Sequence, residues 1–95
     1  MDYLEKYNFT KDDISSFKNN VPASVVNLLE EQKKQVINNI KYLRELGVEN
    51  YKDVFLNYYE IFLNDDTIFR AIFDKYDRED LIDKIAKNIN IVEYL

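Results

Sequence analysis

The run Asp74-Lys75-Tyr76-Asp77-Arg78-Glu79-Asp80, with Asp83 close behind, concentrates carboxylates more densely than any other part of the chain. Carboxylate oxygens at short steps are what a calcium loop is made from, but such a loop also needs a central glycine for its sharp turn. No glycine stands here. Acids at the start of a helix, facing the positive end of its dipole, account for the cluster, and Asp65-Asp66 reads the same way. A pair of carboxyls for acid–base work would have to share a pocket with separated pKa values. Nothing places Glu45, Glu60 or the Asp pairs together on an apolar face. The chain has no histidine and no cysteine, which removes Ser-His and Cys-His nucleophiles, the usual zinc sites and disulfides. No catalytic residue, metal site or cofactor is expected, and the protein is read as a non-enzyme.

The chemistry that remains is binding. Phe55, Tyr58, Tyr59 and Phe62 lie at helical spacing within residues 54–63, where eight of ten residues are apolar or aromatic. An aromatic stripe of that kind is ordinarily core. This one is wider than a single helix face, so part of it is expected to meet a protein partner, since Tyr and Phe are enriched in interface centres. The acids Asp74, Asp77, Glu79, Asp80 and Asp83 complete the candidate protein-binding set. The alternative set is basic: Lys33, Lys34, Lys41 and Arg44 share one helical stretch and can reach phosphates, although Glu30, Glu31 and Glu45 interleave with them.

These residues have to be positioned by helices. One glycine and one proline in 95 residues are too few for the tight turns of a sandwich or barrel, and 14 aromatics (8 Tyr, 6 Phe) with 46% hydrophobic residues are too many for a disordered chain. Thr10 through Asp13 resembles a capping box. Val21-Pro22 marks a boundary, with Pro22 in the first turn of the next helix. Val25, Val26, Leu29, Val36, Ile37, Ile40, Leu43 and Leu46 then recur at helical intervals, which predicts one long helix over about residues 22–46, interrupted in its apolar stripe at Gln32-Lys33. Gly47, the only glycine, reads as the left-handed residue that ends it. Asn50, the Asn64-Asp65-Asp66 group and Asp77 are the expected caps of the helices that follow. The fold class is therefore all-α: a small single domain, residues 1–95, of six or seven short helices around the long one. No apolar run approaches the roughly 18 residues needed to span a bilayer, and residues 1–15 lack a signal-peptide profile. No membrane contact is expected, and the cytoplasm is the expected compartment.

A cap followed three residues later by Asp and then by an apolar residue occurs at Thr10–Asp13–Ile14, Asn50–Asp53–Val54 and Asp77–Asp80–Leu81. Such returns suggest stacked helical units. The segment Tyr42-Leu43-Arg44-Glu45-Leu46-Gly47-Val48, then Lys52-Asp53-Val54, then Leu56-Asn57-Tyr58-Tyr59-Glu60-Ile61-Phe62-Leu63 resembles the repeat of the mitochondrial transcription termination factor (mTERF) family. That repeat reads Leu-x-x-Leu-Gly, a short link, Asp-apolar, and a helix ending in Tyr-Pro-Glu-Ile-Leu. The resemblance extends loosely over about residues 21–95, and Tyr59 stands where the family has proline. It implies a right-handed stack of helical triplets, two or three here, and a role in transcription through nucleic-acid binding, with Lys33, Lys34, Lys41 and Arg44 on the phosphates.

Net charge weighs on the other side. The chain carries −5, with 7 Lys/Arg against 8 Asp/Glu in residues 1–50 and 6 against 10 in residues 51–95. An acidic surface repels phosphate. The sequence alone therefore favours a small acidic protein that works through a protein partner, as a regulator or inhibitor of a basic, nucleic-acid-binding protein. An mTERF-like nucleic-acid binder is the alternative.

Overall fold

Thr10 opens the first α-helix by exchanging hydrogen bonds with Asp13. The Asp13 amide donates to the Thr10 hydroxyl oxygen at 3.0 Å, and the Thr10 amide donates to the Asp13 carboxylate at 2.9 Å. Asp65 and Asp77 start two later helices with one half of that exchange, accepting from the amides of Ile68 and Asp80. The computed structural model describes all 95 residues, Met1–Leu95. It contains α1 (Lys11–Asn20), α2 (Ala23–Glu31), α3 (Lys33–Leu46), α4 (Tyr51–Tyr58), α5 (Asp66–Asp74) and α6 (Arg78–Lys87). Three short 3-10 segments, Asp2–Tyr7, Tyr59–Leu63 and Ile89–Tyr94, complete it. The chain is 81% helical with no strand, so it is an all-α domain as its composition requires. Its radius of gyration, 12.8 Å, is that of a globule rather than an extended rod.

Two helix stops share one geometry. After α3 the Gly47 amide bonds to the Arg44 carbonyl and the Val48 amide to the Leu43 carbonyl, while Gly47 sits at φ 104° and Leu43 and Val48 are both buried. This is the Schellman arrangement with its apolar contact. Asn8, at φ 70°, repeats it after the first 3-10 segment: the Asn8 amide bonds to the Glu5 carbonyl and the Phe9 amide to the Leu4 carbonyl, with Leu4 and Phe9 buried. Asparagine is the residue other than glycine that tolerates this conformation best.

The long helix expected over residues 22–46 is two helices. The chain leaves helical geometry at Gln32, φ −103° and ψ 30°, between α2 and α3. The reason lies in the run Glu30-Glu31-Gln32-Lys33-Lys34-Gln35, which offers nothing apolar to hold a continuous helix to the core. Breaking there lets Leu29 on one side and Val36 on the other both reach full burial. The spine is therefore α3 alone. It packs against α2, α4, α5 and the 3-10 segments Asp2–Tyr7 and Tyr59–Leu63. Asn50 precedes α4 but does not cap it with its side chain; its amide instead donates to the Ile85 carbonyl of α6 at 3.1 Å.

The core is built on rings. All six phenylalanines are buried. Phe9, Phe17 and Phe62 each pack on Phe55, with ring centroids 5.5, 5.3 and 5.2 Å away, and the contacts continue through Phe69 to Phe73 at 5.0 and 5.1 Å. A polar clamp ties α3 to the next segment. Asn39, fully buried, donates to the carbonyls of Phe62 at 3.0 Å and Asn64 at 2.9 Å, and Gln35 donates to the Leu63 carbonyl. The side-chain oxygen of Asn39 has no partner.

Candidate functional site

The aromatic set divides. Phe55 and Phe62 are completely buried among the rings of the core and face no partner, which corrects the expectation for those two. The width of the 54–63 stripe is used internally, because α4 and the 3-10 segment Tyr59–Leu63 change direction at Tyr58 and so turn several faces inward. Tyr58 and Tyr59 are half-buried. Tyr58 donates its hydroxyl to Asn90 at 2.9 Å, and the Tyr59 ring stands edge-on to Phe17.

The acids of residues 74–83 are all exposed, and most are engaged within the fold. Asp77 caps α6, Asp80 pairs with Lys84 and Asp83 with Lys87 at 2.9 Å each, and Asp74 accepts the Tyr42 hydroxyl. Glu79 alone in this group makes no hydrogen bond or ion pair. Nowhere do three or more acids gather as metal ligands.

The basic set sits on α3. This helix carries Lys33, Lys34, Lys41 and Arg44 against Glu45, a balance of +3, while every other helical element is neutral or negative. Helical spacing puts Lys34, Asn38, Lys41 and Glu45 on one outward row, and all four are exposed. Lys33, Lys34 and Lys41 make no ion pair. Arg44 lies round the helix on the opposite flank from α5, its guanidinium 5.8 Å from the Tyr7 ring centre and 5.5 Å from that of Tyr51. Its charge is attracted to the faces of those two rings, on the same helix as the lysine row.

On the other flank, α3, α5 and α6 enclose a groove of about 460 Å³ lined by Tyr42, Leu46, Phe73, Tyr76, Leu81 and the polar groups of Glu45, Asp74 and Arg78. The Tyr42 ring is its side wall. Arg70 of α5 lies over that ring at 4.9 Å, and the Tyr42 hydroxyl donates to Asp74 one turn further along α5. Partial burial, together with the hydrogen bond to Asp74 and the charge of that carboxylate, pushes the Tyr42 hydroxyl up to about 12. Arg78 closes one end, donating to the carbonyls of Leu46 at 2.9 Å and Glu45 at 3.0 Å, where its charge meets the negative end of the α3 dipole. Tyr76 is 38% exposed at the same end, with the Lys75 ammonium 5.4 Å from its ring centre.

Sequence reasoning did not single out Arg70, Tyr76 or Arg78. Arg70 and Asp74 are spaced one helical turn apart, and so are Lys41 and Glu45, but only the packing of α5 on α3 brings Asp74 and Glu45 to one groove. No helix is long and apolar enough to cross a membrane. No family model, curated protein or solved structure matches the chain.

Proposed function

We propose that this protein acts by binding rather than by catalysis, and that it binds the phosphate backbone of a nucleic acid along the exposed row of α3. The observation that carries this reading is the segregation of charge. A chain of net −5 places a balance of +3 on its central helix and leaves Lys33, Lys34 and Lys41 without acidic partners. Over a Debye length of about 10 Å in ~0.1 M salt, a phosphate responds to that local field more than to the total charge. Arg70 of α5, whose guanidinium lies over the Tyr42 ring of α3, adds a fourth cation. The succession α-helix, α-helix, 3-10 segment occurs twice, as α3–α4–(Tyr59–Leu63) and α5–α6–(Ile89–Tyr94), with α3 packed on α5. That order agrees with the helical triplets of mTERF repeats and supports the same reading, a transcription-related protein of the cytoplasm.

Fluorescence anisotropy of labelled DNA and RNA is the test. About four phosphate contacts predict an affinity that falls roughly 50- to 150-fold between ~50 and ~200 mM salt. The double variant Lys34→Glu/Lys41→Glu should abolish binding while leaving the helical spectrum intact. Absence of binding at low salt would refute the proposal.

The second reading is an acidic interaction protein that regulates or inhibits a basic partner. It is favoured by the complement of the same segregation: outside α3 no helical element has a positive balance, and Glu79 stands unpaired on α6. Complementary charge would speed its encounter with such a partner.

A further inference from the structure

The groove beside Tyr42 has a construction that phosphate contacts alone do not call for. Its two rims are rows of opposite composition along their length. On α3, Lys41 stands one turn before Glu45; on α5, Arg70 stands one turn before Asp74. Glu45 and Asp74 line the groove, Lys41 and Arg70 stand one turn before them on their own helices with Arg70 over the Tyr42 ring, and Tyr76 and Arg78 complete the lining. The walls are apolar and aromatic: Leu46, Phe73, Leu81 and the two tyrosines. Tyr76 is the exposed ring among them; its hydroxyl makes no hydrogen bond, and the Lys75 ammonium lies 5.4 Å from its centre.

Resting on the reading that α3 binds phosphate, we infer that this groove takes an unpaired nucleobase, so that the preferred ligand is a single strand and not a duplex. Lys41 and Arg70, one turn from the lining acids, hold the backbone, an aromatic platform in the groove holds the base by stacking, and every base has a π-face to offer. A duplex keeps its bases paired and stacked within itself and presents only phosphates to Lys41 and Arg70. The carboxylates fit the same occupant. Glu45 has no partner within the fold and can accept from an exocyclic amine, as acids do from cytosine. Asp74 is already satisfied by the Tyr42 hydroxyl, with Arg70 on the preceding turn of α5. Arg78 is held by the α3 carbonyls and fixes the end of the groove in place rather than reaching for a phosphate.

The test uses the whole chain and three probes of about twelve nucleotides, a length within the range a small single-strand site covers: a single strand, the same strand with abasic positions, and the duplex. Binding is measured by anisotropy at two salt concentrations, for the wild type and for Tyr76→Leu. Tyr76 is exposed, so the substitution keeps the bulk of the side chain while removing its π-face; an unchanged far-ultraviolet spectrum verifies the fold. The expected result is a single strand bound at least tenfold tighter than the duplex. Tyr76→Leu should weaken the single strand by about 5- to 150-fold with the salt slope unaltered, and abasic substitution should cost a similar factor. Equal affinity for strand and duplex, or an undisturbed affinity in Tyr76→Leu, would overturn the inference while leaving the α3 reading in place. Failure of every probe to bind at low salt would end both.

Discussion

Replacing Asn39 by leucine tests whether the polar clamp between α3 and the Tyr59–Leu63 segment holds the fold together. Asn39 is fully buried, and its amide donates to the carbonyls of Phe62 at 3.0 Å and Asn64 at 2.9 Å. Leucine has nearly the same shape and no donor. A buried carbonyl stripped of its partner costs about 1–3 kcal/mol. The Phe62 carbonyl is deep enough for the full penalty, whereas the Asn64 carbonyl can regain water and falls at the low end. Together they cost about 2–4 kcal/mol. The substitution also removes an orphan, because the Asn39 side-chain oxygen has no partner, and relief of that group returns about 1 kcal/mol. Asn39→Leu should therefore destabilise the protein by about 1–3 kcal/mol, or lower Tm by roughly 5–20 °C for a domain of this size. Urea unfolding followed by circular dichroism measures it. Asn39→Asp sharpens the test: an ionised carboxylate would face two carbonyl oxygens and should cost more than leucine at neutral pH. Part of that loss should return in acid, where the protonated form can donate once. An Asn39→Leu protein as stable as the wild type, with Asn39→Asp no worse, would refute the argument that these two bonds are net stabilising.

Other consequences are open to direct measurement. Gly47→Ala should cost about 1–2 kcal/mol by thermal unfolding, because Gly47 sits at φ 104° and an added Cβ would come within 3.2 Å of the Ile82 side chain. Asn8→Ala should be destabilising for the same backbone reason, whereas Asn8→Gly should not. In the capping box, the hydrogen bond from the Thr10 amide holds the Asp13 carboxyl below its usual range. A carboxyl depressed in the folded state stabilises above its unfolded value, so this contribution should fade as pH falls through the carboxylate range; Asp13→Asn should remove that acid dependence, whereas Thr10→Ala keeps the backbone donor and much of the dependence while costing about 0.5–2 kcal/mol. Tyr3, raised by burial, and Tyr42 should both ionise near 12 in a tyrosinate absorbance titration. Their hydroxyls stabilise the fold fully below the ordinary tyrosine value, and that support is lost as pH climbs through 12; Asp74→Asn should bring the Tyr42 value down.

Residue chemistry that has only one structural use was legible in the sequence. Gly47 could be placed at a helix stop because no other residue in the chain is free of the left-handed penalty, and Thr10, Asp65 and Asp77 cap where their oxygens and spacing say they can. Chemistry with several uses was not. Asn8 makes the same stop as Gly47, but it is one of eleven asparagines. Asn39 looks like a solvated neighbour of Asn38, and only the carbonyls that α3 meets at Phe62 and Asn64 make its burial affordable. The break at Gln32 was visible as a gap in the apolar stripe, yet periodicity continues across it, so the pattern read as one helix. For the candidate site, the α3 lysines could be singled out from spacing and charge. The groove beside them was missed, since Arg70, Tyr76 and Arg78 come together with Tyr42 only through the packing of α5 and α6 on α3.

The line of stacked phenylalanines has a consequence for how the native state opens. Every ring of the line except Phe73 touches a ring from another segment, so lifting any one of α1, α4 or α5 would strand its neighbours' faces in water. Amide hydrogens in these three helices should therefore exchange with solvent at one common free energy, that of global unfolding, and not in separate local steps. By contrast α2, which packs mainly on α3 and lies outside the line of rings, should exchange through a lower-energy opening of its own. Hydrogen exchange would thus divide the molecule into one slow body and one fast helix, with the hinge at Gln32.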